Sequence, residues 1–309
     1  MSSPEEIIKV QNLVKKYGDF TAVKEIEFEV QRGEVFGLLG PNGAGKTTTL
    51  EMLVGLRKPD EGTAFVGGFD IIQDLKKVKE VIGVQLQSTT LFELLTVEEI
   101  LHLYASFYHQ HVSIPELIED MLLTDKTKNR IKSLSGGQKQ RLAIALALVH
   151  DPWIIFLDEP TTGLDPQARR TLWDIILRLK EKGKTIVLTT HYMDEAHVLC
   201  DRIAIMDQGK LIALNTPSFL VKNLQSDSAV EFRFLGDAHE VELHAIHGVK
   251  QVGNQNDMYI LYTDDLQLTL TSLINTASEK QLKLSDLQTR TATLEDVFIH
   301  MTGRSLREG

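Results

Sequence analysis

The chain has 309 residues, enough for about two domains, and 42% of them are hydrophobic, which supports a buried core and argues against disorder. Its formal net charge of −10 argues against the basic surface that nucleic-acid binding needs, so no nucleic-acid partner is expected. The single cysteine, Cys200, excludes an intramolecular disulfide framework, and neither an apolar run of ~18 residues nor an N-terminal secretory signal is found.

Strand-like and helix-like segments alternate through the first two thirds of the chain. All-apolar runs bounded by polar residues are typical of strands buried in a parallel sheet. Such runs predict strands at residues 35–39, 63–66, 153–157 and 185–188. Apolar residues at helical spacing, with Thr96 and Glu99 as a helix-start signal, predict helices at residues 47–54, 96–108 and 166–182. The alternation predicts an α/β domain with a mostly parallel sheet.

The pattern changes after Gly209. Residues 230–234 alternate strictly between apolar and polar, which predicts a half-exposed strand. Further elements are expected as a strand at residues 258–262 and as helices at 218–223, 265–277 and 294–301. We place a domain boundary near residue 220, between a domain of residues 1–220 and a small α+β accessory domain of residues 221–309.

A glycine-rich segment follows the strand predicted at residues 35–39. Residues 40–47 read Gly-Pro-Asn-Gly-Ala-Gly-Lys-Thr and match G-x-x-x-x-G-K-[ST] between a strand and a helix. Glycines let successive backbone N–H groups converge on phosphate oxygens, and the helix N-terminus adds favourable partial charge. Lys46 would reach the β- and γ-phosphates, and the Thr47 hydroxyl would bind Mg²⁺. The predicted nucleotide-binding residues here are Gly40, Pro41, Asn42, Gly43, Ala44, Gly45, Lys46, Thr47 and Thr48.

Two adjacent carboxylates follow the apolar run at residues 153–157. Asp158 can hold the Mg²⁺ shell, which leaves Glu159 free to polarise an attacking water. A protein that only binds nucleotide does not need the second carboxylate. Glu159 therefore favours hydrolysis over binding alone.

A second anion-binding arrangement lies at residues 134–138, which read Leu-Ser-Gly-Gly-Gln and precede an apolar helix at residues 142–149. It places a serine hydroxyl and several backbone N–H groups at a helix N-terminus. With this pentapeptide, the first 220 residues or so resemble the ATP-binding-cassette (ABC) family, whose signature it is. The resemblance implies a P-loop NTPase fold with an inserted helical subdomain at about residues 88–150. It also implies two cassettes packed head to tail, in which Leu134, Ser135, Gly136, Gly137 and Gln138 close over the γ-phosphate held by the partner.

Four further positions match motifs of the ABC family. Tyr17 matches the aromatic residue that stacks on adenine, and Asp165 matches the aspartate at the cassette–cassette interface. His191 matches the switch histidine that contacts the γ-phosphate. Gln87 matches the glutamine that touches Mg²⁺ and senses the transmembrane partner; Gln85 is a rival, but alignment of the preceding Ile-Gly pair with the family pattern favours Gln87.

The resemblance implies an ATPase with Glu159 and His191 as catalytic residues and with Thr47, Gln87 and Asp158 as Mg²⁺ ligands. Its cofactors would be ATP and Mg²⁺. No motif is degenerate, so a homodimer would contain two competent sites.

The tail is similar to that of the daunorubicin-resistance-type exporter ATPases, on the strength of residues 293–298 followed by Thr302-Gly303-Arg304. That class works with separately encoded permeases. The resemblance therefore implies the nucleotide-binding subunit of an ABC exporter, soluble when isolated and held peripherally at the cytoplasmic face of the membrane by a transmembrane permease. A single-cassette ABC ATPase with a non-transport role stays open as the alternative.

Overall fold

The computed structural model describes residues 6–87, 90–224, 228–235, 242–255 and 258–302. The chain folds as two compact units, Met1–Asn215 and Thr216–Gly309. The division falls just before a short helix, Pro217–Lys222, which packs with the last helix of the second unit. It lies slightly ahead of residue 220, where the sequence analysis places the boundary.

The first unit contains ten strands and seven α-helices in its described part. The strands are β1 (Glu6–Tyr17), β2 (Phe20–Gln31), β3 (Val35–Leu39), β4 (Glu61–Val66), β5 (Phe69–Asp70), β6 (Ile82–Gln85), β7 (Ile154–Asp158), β8 (Thr185–Thr190), β9 (Arg202–Asp207) and β10 (Lys210–Asn215). The helices are α1 (Lys46–Leu53), α2 (Leu75–Val81), α3 (Val97–Ala105), α4 (Ile114–Asp120), α5 (Gly136–Leu148), α6 (Pro166–Glu181) and α7 (Met193–Leu199).

The central sheet has the strand order β10-β9-β3-β8-β7-β6. All neighbouring pairs are parallel except β10 with β9. Every residue of β3, β7 and β8 is buried, which explains why their sequences are near-continuous apolar runs. The prediction of an α/β fold with a mostly parallel sheet is confirmed.

The helices α3, α4 and α5 lie between β6 and β7, in the segment where a helical subdomain is expected. Helix α3 begins with the predicted capping box of Thr96 and Glu99. It ends at Ala105 rather than at residue 108, and the Ser106 hydroxyl donates to the Leu103 carbonyl there. The other predicted elements of this unit are present with small shifts at their ends.

A second, antiparallel sheet with the order β2-β1-β4-β5 was not predicted as such, although β4 was expected as a strand. Its two long strands are interrupted by bulges, and Asn12 (φ 49°) and Glu25 (φ 49°) adopt the left-handed conformation. Each bulge shifts the side chains to the other face, so the alternation that identifies a strand is broken.

The second unit is an antiparallel sheet with helices. Its described elements are α8 (Pro217–Lys222), β11 (Ser228–Leu235), β12 (Val249–Gln255), β13 (Met258–Thr263), α9 (Leu266–Glu279), β14 (Lys283–Thr291) and α10 (Leu294–Thr302). The sheet order is β12-β13-β11-β14. Phe232, Leu261 and Leu273 belong to its core. Of the tail residues that carry the exporter resemblance, Gly303 and Arg304 lie outside the described residues.

Candidate active site

The loop of residues 40–47 joins β3 to α1. Gly45 caps the N-terminus of α1 with φ 102°, and a Cβ atom at this position would lie 2.6 Å from the Ala22 carbonyl oxygen. Gly43 has φ 77°, and a Cβ atom there would meet nothing within 4 Å. The backbone therefore follows a path that favours glycine, and it leads into a helix N-terminus, where partial positive charge suits an anion.

Lys46 is the first residue of α1, and its side chain is buried. Its Nζ donates to the carbonyl oxygens of Gly40 at 2.8 Å and Pro41 at 3.0 Å, and it lies 3.6 Å from Oε1 of Glu159. Burial lowers the pKa of Lys46, an effect that the carboxylates of Glu159 and Asp158 oppose. This ammonium is thus held inside the loop, where a phosphate group would meet it.

Thr47 and Asp158 place two oxygen ligands side by side. The Thr47 hydroxyl donates to Oδ1 of Asp158 at 3.1 Å, and the Thr189 hydroxyl donates to the same oxygen at 2.5 Å. Burial raises the pKa of Asp158, while these two hydroxyls oppose the shift. A hydroxyl and a carboxylate are hard oxygen ligands of the kind that Mg²⁺ prefers. The residues present therefore fit a magnesium ion bound with substrate phosphates.

Glu159 stands directly after β7 in the left-handed conformation, with φ 46°. Its backbone N–H donates to Thr189, to the carbonyl oxygen at 3.2 Å and to the hydroxyl at 2.9 Å. Its Oε2 accepts from Nε2 of Gln87 at 3.3 Å and from the Thr162 hydroxyl at 3.1 Å. Its Oε1 lies 3.3 Å from Nδ1 of His191, a pair whose alignment is not that of a hydrogen bond. The carboxylate is thereby held from several sides.

The charge state of Glu159 suits a base. The neighbouring His191 ring lowers the pKa of Glu159, burial opposes this, and Lys46 adds to the lowering. The net effect keeps the carboxylate ionised at neutral pH. An ionised, fixed carboxylate can polarise a water molecule next to it.

The structure thus brings together six of the predicted site residues: Lys46, Thr47, Gln87, Asp158, Glu159 and His191. The rival glutamine, Gln85, is buried in β6, and its amide donates to the Leu86 carbonyl. Sequence reasoning missed Thr189 and Thr162. The available signal was the pair Thr189-Thr190 at the end of an apolar strand. The role of Thr189 becomes visible only in the sheet, where it lies opposite Asp158 across β7 and β8.

The predicted adenine-stacking, interface and signature residues lie outside this cluster. Tyr17 ends β1 and is 40% exposed, with the charged groups of Lys15 and Arg57 at 5.7 and 5.5 Å from its ring centroid. Asp165 caps α6, and its Oδ1 accepts from the backbone N–H groups of Gln167 and Ala168. Ser135 caps α5.

The signature segment forms the N-terminus of α5. The Ser135 hydroxyl accepts from the backbone N–H of Gln138 at 3.3 Å, and Oε1 of Gln138 accepts from the Ser135 N–H at 2.9 Å. A Cβ atom on Gly137 would lie 2.8 Å from Cβ of Ala168, so the glycine permits close packing of α5 on α6. Ser135 and Gly136 are exposed, which leaves this helix end open to another molecule.

The glycine-rich loop follows a parallel strand and begins a helix, and Asp158 and Glu159 stand at the end of another parallel strand. This combination defines a P-loop nucleoside triphosphatase. Residues 23–162 match the ABC transporter family. The linearmycin resistance ATP-binding protein LnrL of Bacillus subtilis (strain 168) is 37% identical over 98% of this chain and 100% of its own length. The Nod factor export ATP-binding protein I of Paraburkholderia xenovorans (strain LB400) is 38% identical over 99% of this chain and 100% of its own length.

Solved structures agree with these relatives. The ADP conformation of MJ1267, an ATP-binding cassette of an ABC transporter, superposes with a TM-score of 0.65 at 27% identity, over 71% of this chain and 94% of that one. A dimeric post-hydrolysis state of the ATP-binding cassette MJ0796, bound to ADP and Pi, gives a TM-score of 0.61 at 30% identity, over 68% of this chain and 98% of that one.

The chain belongs to the ATP-binding proteins of ABC transporters. It is an ATPase that uses ATP and Mg²⁺, as the sequence predicts. None of the helices in the described ranges combines the length and the apolar character that a membrane crossing requires.

Proposed function

We propose that this chain is the nucleotide-binding subunit of an exporter, which pairs head to tail with a second copy and drives a separate membrane permease from the cytoplasmic face. The observation that carries the proposal is that the site residues are divided between two helix N-termini, those of α1 and α5. Lys46, Asp158 and Glu159 gather at α1, whereas Ser135 stands exposed at α5 and bonds within its own helix turn. A second cassette would complete the site.

The residues around α1 have distinct chemical roles in this proposal. Lys46 and the backbone N–H groups of its loop bind the β- and γ-phosphates of ATP. Thr47, Asp158 and Gln87 hold Mg²⁺, which when bound neutralises phosphate charge. Glu159 holds the attacking water and draws its proton away. His191 lies against Oε1 of Glu159, on the side where the γ-phosphate would sit beside Lys46.

The N-terminus of α5 supplies a hydrogen-bond donor and partial positive charge to the ATP of the partner copy. The Ser135 hydroxyl accepts a bond from Gln138, and its own O–H proton stays available to donate. The helix N-terminus adds partial positive charge, which attracts a phosphate of the partner's ATP. Because both copies carry both surfaces, a two-fold dimer satisfies two sites at once. The dimeric cassette bound to ADP and Pi supports this arrangement.

A cavity of about 450 Å³ provides a docking place for the permease. It lies between the end of α1, strand β6 and the helices α3 and α5, and its lining includes Leu56, Val84, Leu86, Tyr104, Tyr108 and Leu146. Leu86 is adjacent in sequence to Gln87, which bonds Glu159. A permease segment seated in the cavity would therefore press on β6, the strand that leads to Gln87, and Gln87 bonds the catalytic carboxylate of Glu159.

The export direction is supported by the relatives. Two proteins that match this chain over nearly its whole length are named for linearmycin resistance and for Nod factor export. The tail resemblance to exporter ATPases points the same way. We assign export as the direction.

Co-purification tests the proposal. The tagged full-length chain, isolated from detergent-solubilised membranes of its own cells, should bring an integral membrane protein with it. Leu56 lines the cavity and is 54% exposed, so Leu56→Arg should abolish the co-purification without disturbing the core. Ile72→Arg is the matched control, because Ile72 is 45% exposed and does not line the cavity. Recovery of the chain only from the soluble fraction, with no membrane protein attached, would favour the non-transport role.

A further inference from the structure

A buried carboxylate lies outside the phosphate site. Glu195 is on α7, four residues after His191, and its side chain is 0% exposed. Its Oε1 accepts a hydrogen bond from Nε1 of Trp173, on α6, at 3.1 Å. A carboxylate withdrawn from water is costly unless polar neighbours compensate it, so its surroundings indicate what it holds.

The groups that face Glu195 come from three separate segments. Burial raises the pKa of Glu195, and the hydroxyls of Thr190 and Thr161, the Trp173 indole and the Arg169 guanidinium oppose that shift. Thr190 ends β8, Thr161 lies in the segment after β7, and the other two side chains project from α6. Among these groups the hydrogen bond to Glu195 comes from the Trp173 indole, whereas Oε2 of Glu195 and the Thr161 hydroxyl have no hydrogen-bond partner in the described part of the chain. The bond therefore joins α7 to α6.

Two of these segments carry the catalytic side chains. Thr161 comes two residues after Glu159 and is itself fully buried. Thr190 directly precedes His191, and its hydroxyl accepts from the backbone N–H of Tyr192 at 2.9 Å. The loop after β8 is therefore fixed by the same residue that faces Glu195.

The third segment, α6, reaches His191 through a ring contact with Tyr192. The Tyr192 ring lies 4.1 Å from the His191 ring, centroid to centroid, and the Arg169 guanidinium lies 4.3 Å from the Tyr192 ring. Arg169 and Trp173 are one helical turn apart on α6. The arrangement links α6, which follows the proposed interface residue Asp165, to His191.

We propose that Glu195 is a positioning residue for ATP hydrolysis: its bond to Trp173 ties α7 to α6 and so fixes the loop that bears His191, which α6 also contacts through Arg169 and Tyr192. The inference rests on the role given to His191, beside Glu159, under the proposed function. Glu195 acts on that histidine through α6 and α7. Its loss would loosen the water-activating geometry while leaving the phosphate-binding loop intact, because small displacements of catalytic groups are costly to rate.

Steady-state ATPase kinetics and equilibrium ATP binding of the purified full-length protein test this. Glu195→Ala should lower kcat about 10-fold or more, with KM and the ATP dissociation constant changed by less than about 2-fold. Glu195→Gln retains an oxygen that can accept from the Trp173 indole and should recover most of the rate. Trp173→Phe removes the N–H donor alone and should give an intermediate loss. Asp194→Ala, which removes an exposed carboxylate of the same helix, is the matched control and should leave kcat unchanged.

Three outcomes would overturn the inference. A folded Glu195→Ala protein with an unchanged kcat would do so, as would equal losses of kcat and ATP-binding capacity, which indicate a purely structural role. If Glu195→Ala does not fold, Trp173→Phe decides, and a normal kcat in that variant refutes the inference. Glu159→Gln separates the two proposals: continued hydrolysis in that variant refutes the base itself, whereas a normal Glu195→Ala beside an inactive Glu159→Gln refutes only the positioning role.

Discussion

The Lys46 ammonium lies 3.6 Å from the Glu159 carboxylate, and both side chains are buried. The proposed phosphate-binding cation and the candidate base therefore form one electrostatic unit. The pKa of Glu159 is lowered by His191 and further by Lys46, so the carboxylate carries its charge. A γ-phosphate that binds Lys46 must approach this negative charge. The affinity for ATP therefore depends on the charge of Glu159.

Glu159→Gln is expected to lower kcat at least about 100-fold, because the amide cannot accept the proton of an attacking water. ATP binding should be retained or become tighter, since the substitution removes a negative charge close to the phosphates. Phosphate release and equilibrium ATP binding measure the two effects, and size-exclusion chromatography with Mg²⁺ and ATP should show an accumulated dimer. Glu181→Gln, at the exposed end of α6, is the control. Undiminished hydrolysis in Glu159→Gln would exclude Glu159 as the base.

Ser135→Ala should separate hydrolysis from binding. The substitution removes the hydroxyl offered to the partner's γ-phosphate and should lower kcat at least about 10-fold, while ATP binding to the dilute monomer is unchanged. It also removes a helix cap, which costs about 1 kcal/mol. Thr96→Ala removes the equivalent capping box from α3 and should leave kcat near normal. Lys46→Ala should abolish monomer binding; if Ser135→Ala weakens it as much, the composite site is wrong.

The parts of the fold that the sequence predicts are those with an undisturbed local pattern. Strands β7 and β8 are buried on both faces, so their apolar runs identify them. Strands β1 and β14 were not predicted. The first is interrupted by bulges, and the second is mostly exposed and polar, with Asp286 in the left-handed conformation (φ 52°). In both, the alternation depends on the partner strand, which the sequence does not identify.

The same limit applies to the candidate site. Residues within continuous motifs, such as Lys46 and Glu159, were predicted because the motif itself carries the chemistry. Thr189 was missed, because its role depends on lying opposite Asp158 in the sheet. The Trp173–Glu195 bond joins residues on two different helices and has no short-range signal. Long-range packing decides these contacts.

Gly45→Ala is expected to abolish ATP binding. At φ 102° an alanine is strained, and its Cβ would lie 2.6 Å from the Ala22 carbonyl oxygen, so the loop must move. Gly183→Ala is the matched control: φ is 83°, a Cβ would meet nothing within 4 Å, and the residue follows α6 away from the loop. That variant should lose about 1 kcal/mol of stability but bind ATP normally. Equal ATP affinity in the two variants would show that the conformation at Gly45 does not govern binding.

A buried ion pair fixes α10 in the second unit. Asp296 is 1% exposed and accepts hydrogen bonds from Arg290, at 2.5 and 2.8 Å, and from the Tyr262 hydroxyl at 2.7 Å. Burial alone would raise the pKa of Asp296, but Arg290 and the Tyr262 hydroxyl outweigh it and the net pKa is lowered. A carboxyl whose pKa is lowered on folding stabilises the fold above its unfolded pKa of about 3.9 and loses that contribution as pH falls through the folded pKa.

Asp296→Asn should therefore destabilise the second unit at neutral pH by roughly 2–4 kcal/mol, because the half-buried Arg290 charge loses one of its two carboxylate partners and keeps only Glu231, at 2.6 Å. Hydrogen exchange of residues 283–302 should be about 100-fold faster than in the unsubstituted protein at pH 7. The difference should hold down to about pH 4 and shrink below it, as Asp296 itself becomes protonated. Asp286→Asn removes a 56% exposed carboxylate that lies 3.8 Å from Arg233, and it should change the exchange little at either pH. If the difference grew on acidification, the pKa of Asp296 would be raised rather than lowered by folding, and Asp296 would be protonated in the folded protein.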